Sequence, residues 1–323
     1  MNKQDTNFLR FIAICLILNS HMDLYYPIPH IGTGGSIGNA LFFMLSAFGL
    51  LLSEKRAPQT FSVYYTKRIK RIYPAVWVVL VLLIIPIKLV QNPTELSNIL
   101  SFASRFFYPP FWFLKALMLF FLIGFVFIKN FSLKKIVTFW AVCLFLYVFI
   151  YTNYLDIDAF VVEKLPFRLL FYVMMFVFGI FLASINSKIK FAGFRDVIIL
   201  LFTIGVIYSH KFLMARNLFL DLQALQHLFL FVFVFYALKI SRAEMVRVRI
   251  MALPVIGTII TFISRITLEI YIVHVTISPI ILRLKLPFPL NAVVFLVLAI
   301  SISAMANWIS KKGMKFSIGY SHG

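Results

Sequence analysis

Charge is scarce in this chain. Only 13% of its 323 residues are Asp, Glu, Lys or Arg, and just 11 are acidic. A soluble domain carries about 25%. Hydrophobic residues make up 62% of the chain and the mean hydropathy is +0.96, so a water-soluble surface cannot be assembled from the polar groups present. Cysteine is equally sparse. Cys15 and Cys143 both fall in apolar runs, which gives no disulfide framework and no zinc-ligand spacing, and no metal is expected. No stretch is rich enough in Ser, Gly or Pro to serve as a linker, and no internal repeat is visible, which disfavours a transporter made of two related halves. The first apolar segment lacks a small-residue cleavage pattern, so it is expected to stay in the protein rather than be removed.

Apolar runs of roughly 17–22 residues, the length of a hydrocarbon crossing, recur from end to end. They place helices at about 8–22, 36–53, 72–90, 111–128, 135–152, 166–185, 195–209, 223–238, 265–282 and 289–309. The expected fold class is an all-α polytopic membrane protein of about ten transmembrane helices, forming a single integral-membrane domain over 1–323 with no separate soluble domain. An even number of spans puts both termini on one side. With that side cytoplasmic, the inner loops and tails hold 22 of the 31 Lys and Arg residues, the sign and alternation of the positive-inside rule. The net charge of +20 therefore reports topology, with an anionic cytosolic ligand as a second cause, and nucleic acid is not expected as a partner. The segments 91–110 and 153–165 read as outer loops. The 241–264 stretch is apolar but short, and crossing, re-entrant and interfacial readings all remain open for it.

Ionisable residues at the edges of these runs carry the chemistry. Arg10 and His21 flank the first span. Eleven residues apart, they share one helix face about 16 Å apart along the axis. As ordinary anchors, Arg10 would snorkel to cytosolic headgroups and His21 would sit at the outer interface. Gly34-Gly35-Ser36-Ile37-Gly38 formally matches a nucleophile elbow, but that motif needs a strand-to-helix turn in a soluble sheet, and a loop opening onto a membrane helix is expected instead. Arg68 and Arg71, with Lys67 and Lys70 beside them, lie at the cytosolic mouth of the third span. Residues three apart are neighbours on a helix, so two guanidinium forks there could grip one phosphate; a plain positive-inside cluster looks the same. Pro74 reads as the start of that helix. Glu269, one turn inside a late span, should face the protein interior and have a partner. His274, roughly 140° around the helix from it, need not meet it.

The order of these signals resembles the acyltransferase 3 family of membrane acyltransferases: Arg10, ten residues, His21; "LFFMLSAF" in the second span; "RIKRIYP" entering the third; "FWFL" at 111–114, with Trp112; and a late "IYIVH" ending in His274. Ala47 departs from the glycine usual after that serine, and the soluble esterase-like domain of some members is not seen. The resemblance implies a membrane O-acyltransferase of the bacterial cytoplasmic (inner) membrane. Its co-substrate would be cytosolic acyl-CoA, most often acetyl-CoA, with no permanently bound cofactor. Its partners would be membrane lipids and a glycan or lipid-linked glycan acceptor outside the cytoplasm. By resemblance His21 is catalytic and Arg10 is required with it, Glu269 is the candidate acidic residue, and Arg68, Arg71, Lys67 and Arg10 attend acyl-CoA. Asp23, Asn19, Ser20, Trp112 and His274 are candidates for orienting or supporting roles. The alternative from another class is a polysaccharide or small-molecule exporter of the same fold.

Overall fold

The computed structural model describes residues 1–91, 111–154 and 164–319. The expected outer loops at 91–110 and 153–165 lie almost wholly outside them. No strand occurs among the described residues. Ser36 is the second residue of a helix, with its hydroxyl buried, which disposes of the nucleophile elbow.

The helices are α1 (Lys3–Ser20), α2 (Gly35–Arg56), α3 (Phe61–Val79), α4 (Ile85–Gln91), α5 (Trp112–Lys129), α6 (Leu133–Tyr154), α7 (Leu165–Ser184), α8 (Phe194–Met214), α9 (Leu225–Ser241), α10 (Pro254–Arg265), α11 (Thr267–Arg283) and α12 (Leu290–Gly319). Each of the ten expected spans falls on helical structure, the third (72–90) running over the end of α3, a π-turn at Leu80–Ile84 and α4. Seven are long and apolar enough to cross a membrane, and the bent pair α10–α11 makes up to eight. Two expected spans fall short among the described residues. The α1 helix carries Lys3, Asp5 and Arg10, and α9 has only 17 residues.

Pro74 does not open the third span. The helix starts at Phe61 and runs through the proline into a π-turn over Leu80–Ile84 and on into α4. Proline removes one backbone bond, freeing the carbonyl four residues earlier. Here that residue is Lys70, on an exposed part of the helix, where water can solvate the freed group. The basic residues consequently lie along a helix already formed rather than in a loop before it. The ambiguous 241–264 stretch forms a π-turn over Met245–Ile250 and then α10. Twelve residues rise only about 18 Å, too short for a crossing of about 30 Å. A bend of 73° at Ile266 separates α10 from α11.

The chain divides into two compact units, each discontinuous in sequence. The first holds Met1–Ala13, Ser36–Gln59 and Leu119–Thr261. Its aromatic core joins Phe43, Phe120, Tyr172 and Phe176 from α2, α5 and α7. The α2 and α7 spans are each 67% buried, against 17% for α6 and α8, so the last two present apolar faces such as Phe145, Phe149, Leu201 and Phe202 outward. Among the described residues, three ion pairs join charged groups of this unit. Lys239 donates to Asp196 at 2.7 Å, Arg247 grips Asp5 with two bonds of 2.8 and 2.9 Å, and Lys129 meets Glu54 at 2.6 Å. The second unit holds Ile14–Gly35, Thr60–Met118 and Phe262–Gly323. In it α11 packs against α12, and α3 packs against both.

Gly179 on α7 lets that helix approach the backbone of α2, because a Cβ there would collide with the Met44 carbonyl oxygen. Helix-on-helix contact at a small residue of this kind is the usual way apolar helices associate in lipid. Gly179→Ala is expected to destabilise the protein by about 1–3 kcal/mol, read as a lower melting temperature in detergent. Gly49→Ala, where an added Cβ meets nothing within 4 Å, should leave it unchanged or raise it.

Candidate active site

All contacts of the candidate site lie within the second unit. The α1 helix ends at Ser20, and the backbone N–H of His21 closes a last turn on the Leu18 carbonyl at 3.0 Å. The segment that follows is folded back on the helix end by one side chain. Asn19 Nδ2 donates to the carbonyls of Ile31 (2.8 Å) and Thr33 (2.9 Å), while its Oδ1 accepts from the Tyr26 hydroxyl at 2.8 Å. The fold-back needs glycine at two places. Gly34 has φ +107°, and Gly32 lies so close to the Asp23 backbone that a side chain would collide with it. Tyr25 ties the same segment to later helices. Its hydroxyl reaches the carbonyl and hydroxyl oxygens of Ser278 on α11, each at 3.0 Å. Asn291 on α12 donates to its carbonyl at 3.1 Å.

These ties set His21 against α11. The His21 and His274 rings lie 4.7 Å apart, tilted by 57°. Their environments are opposite: His21 is exposed, whereas His274 is 0% exposed. His274 Nδ1 is 2.9 Å from the Ile270 carbonyl. A carbonyl only accepts, so Nδ1 bears the proton and Nε2 of the neutral ring is left with a lone pair. That Nε2 is buried with no hydrogen-bond partner among the described residues. Aromatic contacts extend the site away from the histidines. Tyr271 stands edge-on to His274 at 5.6 Å, Phe113 packs on Tyr271 at 4.7 Å, and Trp112 is perpendicular to Phe113 at 6.0 Å.

A second cluster forms at the start of α11. Glu269 is buried, and its Oε1 accepts from Asn307 Nδ2 on α12 at 2.6 Å. The charges of Lys311 and Arg71 are near enough to act on it. Five residues of helix separate it from His274, about 7.5 Å along the axis, so the carboxylate and the paired imidazoles belong to different levels of the unit. Arg68 folds back on its own helix: it donates to the Tyr64 carbonyl at 2.9 Å and lies 4.2 Å over the Tyr64 ring. Arg71 and Lys67 are exposed. Arg10, half-buried on α1, lies in the first unit.

Among the residues expected to orient the imidazole, two have other partners. Ser20 Oγ donates to the Ile17 carbonyl at 2.8 Å, and Asn19 holds the loop, so both act on His21 through the backbone. Asp23 is close enough for its charge to act on the ring. The sequence reading missed Tyr25, Tyr271 and Asn307. Tyr271 had a usable signal, since it precedes His274 by three residues and so shares its helix face. Asn307 had one too, as a lone amide in the apolar run of α12. Tyr25 had none, because its partners come from the far end of the chain.

A family model described as an acyltransferase domain, Acyl_transf_3, matches residues 4–308. No curated protein and no solved structure matches the chain. The match spans both compact units and covers α1, with Arg10, through the α12 asparagine that holds Glu269. The chain belongs to the acyltransferase 3 family and is a multi-pass membrane acyltransferase.

Proposed function

We propose that this acyltransferase moves an acyl group, acetyl first among candidates, from cytosolic acyl-CoA to a hydroxyl of an extracytoplasmic or lipid-linked glycan, in the bacterial cytoplasmic membrane, with His21 as the base. The observation that carries the reading is an exposed imidazole 4.7 Å from a buried second imidazole whose Nδ1 proton goes to a backbone carbonyl, on a segment tied down through Asn19, Tyr25 and Asn291, in a chain of this family. A general base must be reachable by the substrate and carried on a well-fixed backbone, and both features support His21 in that role.

In the proposed step a ring nitrogen of His21 takes the proton of the acceptor hydroxyl as its oxygen attacks the thioester carbonyl carbon. The C–O bond forms, the C–S bond breaks, and the departing thiolate receives the proton back from the imidazolium. No group is left on the protein. The pyrophosphate and 3′-phosphate of the donor are assigned to Arg71, Arg68 and Lys67, since guanidinium forks match phosphate oxygens in pairs. Glu269, fixed by Asn307 and acted on by the Arg71 charge, is assigned to holding that arginine in place. The exporter reading has no comparable support, because the polar groups found inside the second unit gather into two small clusters rather than lining a passage.

His21→Ala is expected to lower kcat about 10²–10⁴-fold with protein level and donor affinity retained. The assay is coenzyme A release from radiolabelled acetyl-CoA by protein in nanodiscs, with glycan acceptors supplied. Label retained on wild-type protein would show a covalent acyl-histidine instead of direct transfer. A wild-type protein that neither binds nor turns over the donor would move the assignment to export. Arg71→Gln should raise KM for acyl-CoA about tenfold with a smaller change in kcat, the loss of a charge-assisted bond. Arg10, required with His21 by resemblance to the family, is tested separately: Arg10→Ala with unchanged donor affinity and turnover would show that it has no part in the reaction.

A further inference from the structure

We infer that His274 is a positioning residue for the reaction: its Nε2 lone pair receives the second N–H of His21 at the moment His21 becomes an imidazolium. The inference rests on His21 being the base and deepens that reading.

Three observations place the lone pair. The Ile270 carbonyl takes the Nδ1 proton of His274 at 2.9 Å, which settles the tautomer. Nε2 is buried without a partner among the described residues. The ring beside it is that of His21, at 4.7 Å between centroids. Tyr271, the other ring in contact with His274, stands edge-on at 5.6 Å and is anchored by Phe113 on its far side. A buried acceptor left empty is costly, and it persists where some state of the molecule fills it. Neutral His21 has one N–H and one lone pair. After taking the acceptor's proton it has two N–H groups. One returns its proton to the leaving thiolate, and the other is left facing a dry environment. A neutral imidazole with an unprotonated Nε2, in a ring 4.7 Å from that of His21 between centroids, supplies the acceptor that state requires. Catalytic hydrogen bonds are often unformed in the resting site and tighten only in the reacting complex. His274 thus touches neither donor nor acceptor and acts through His21.

His274→Phe keeps the ring and removes the acceptor, and is expected to lower kcat about 10–100-fold, the worth of a hydrogen bond to a charged group, with KM for acetyl-CoA unchanged. His274→Gln, which can place an amide oxygen near the Nε2 position, should recover much of that loss. A residue that only fills space would show the reverse order, with Phe tolerated and Gln not. A second readout needs no activity. Nitrogen-15 NMR of histidine-labelled wild type in nanodiscs, with His274 assigned by difference from His274→Gln, should show it neutral and protonated at Nδ1. A proton on Nε2 would overturn the inference, since that atom could then only donate. Unchanged kcat in His274→Phe would overturn it as well. If His21→Ala itself keeps full turnover, the base assignment fails first. If His21→Ala is inactive while His274→Phe turns over normally, only the role of His274 fails.

Discussion

Inside hydrocarbon no water is at hand to satisfy a polar group, so each one carried into a membrane helix must find its partner in the protein. That constraint organises both units. In the first, Asp196 is wholly buried and is matched by Lys239 and by the backbone N–H of Ala192. In the second, Glu269 takes Asn307, Tyr25 takes Ser278, and Asn19 takes two loop carbonyls. Apolar contact between helices has little driving force in lipid, since the tails are as apolar as the side chains. Polar pairs of this kind, with close approaches such as Gly179 on α2, therefore specify which helices meet.

The candidate site follows from the same constraint, with His274 Nε2 among the buried atoms left without a partner among the described residues. Loop and helix ends around His21 are fully tied, and every tie reaches α11, α12 or the end of α1. The His21 ring is itself exposed and lies 4.7 Å from a ring whose Nε2 is buried with no partner among the described residues. Rigid surroundings and one open polar position are what an active site needs: the first fixes geometry, and the second is filled only as charge develops. Of the basic residues of α3, Arg71 is near enough to Glu269 for its charge to act there.

Legibility in the sequence differed by element. The apolar spans were readable because bilayer thickness imposes a run length, and every expected span falls on helical structure. Helix ends were less readable. Pro74 looked like a boundary because proline usually breaks a helix, yet α3 begins at Phe61; an exposed Lys70 carbonyl tolerates the missing bond. The short α10 looked ambiguous because its apolar face is genuine but only twelve residues long, and the bend at Ile266 resolved it as a piece that cannot cross by itself. The contact of Arg68 with the ring and carbonyl of Tyr64, one turn back on the same helix, was not read from the sequence, where only its spacing to Arg71 stood out.

What the sequence by itself determined was the solvent and the alphabet of the site. Composition required a bilayer, periodicity required helices, and the order of Arg10, His21, Arg68, Arg71, Trp112 and His274 pointed to an acyltransferase. Only the tertiary structure decided which of those residues meet. His21 and His274 come from near opposite ends of the chain, and Glu269 joins Asn307 rather than the histidine one and a half turns along its own helix. Local rules fix what a residue can do to its neighbours within a turn or two. Pairing between distant helices depends on the packing of whole units, and no local pattern encodes it.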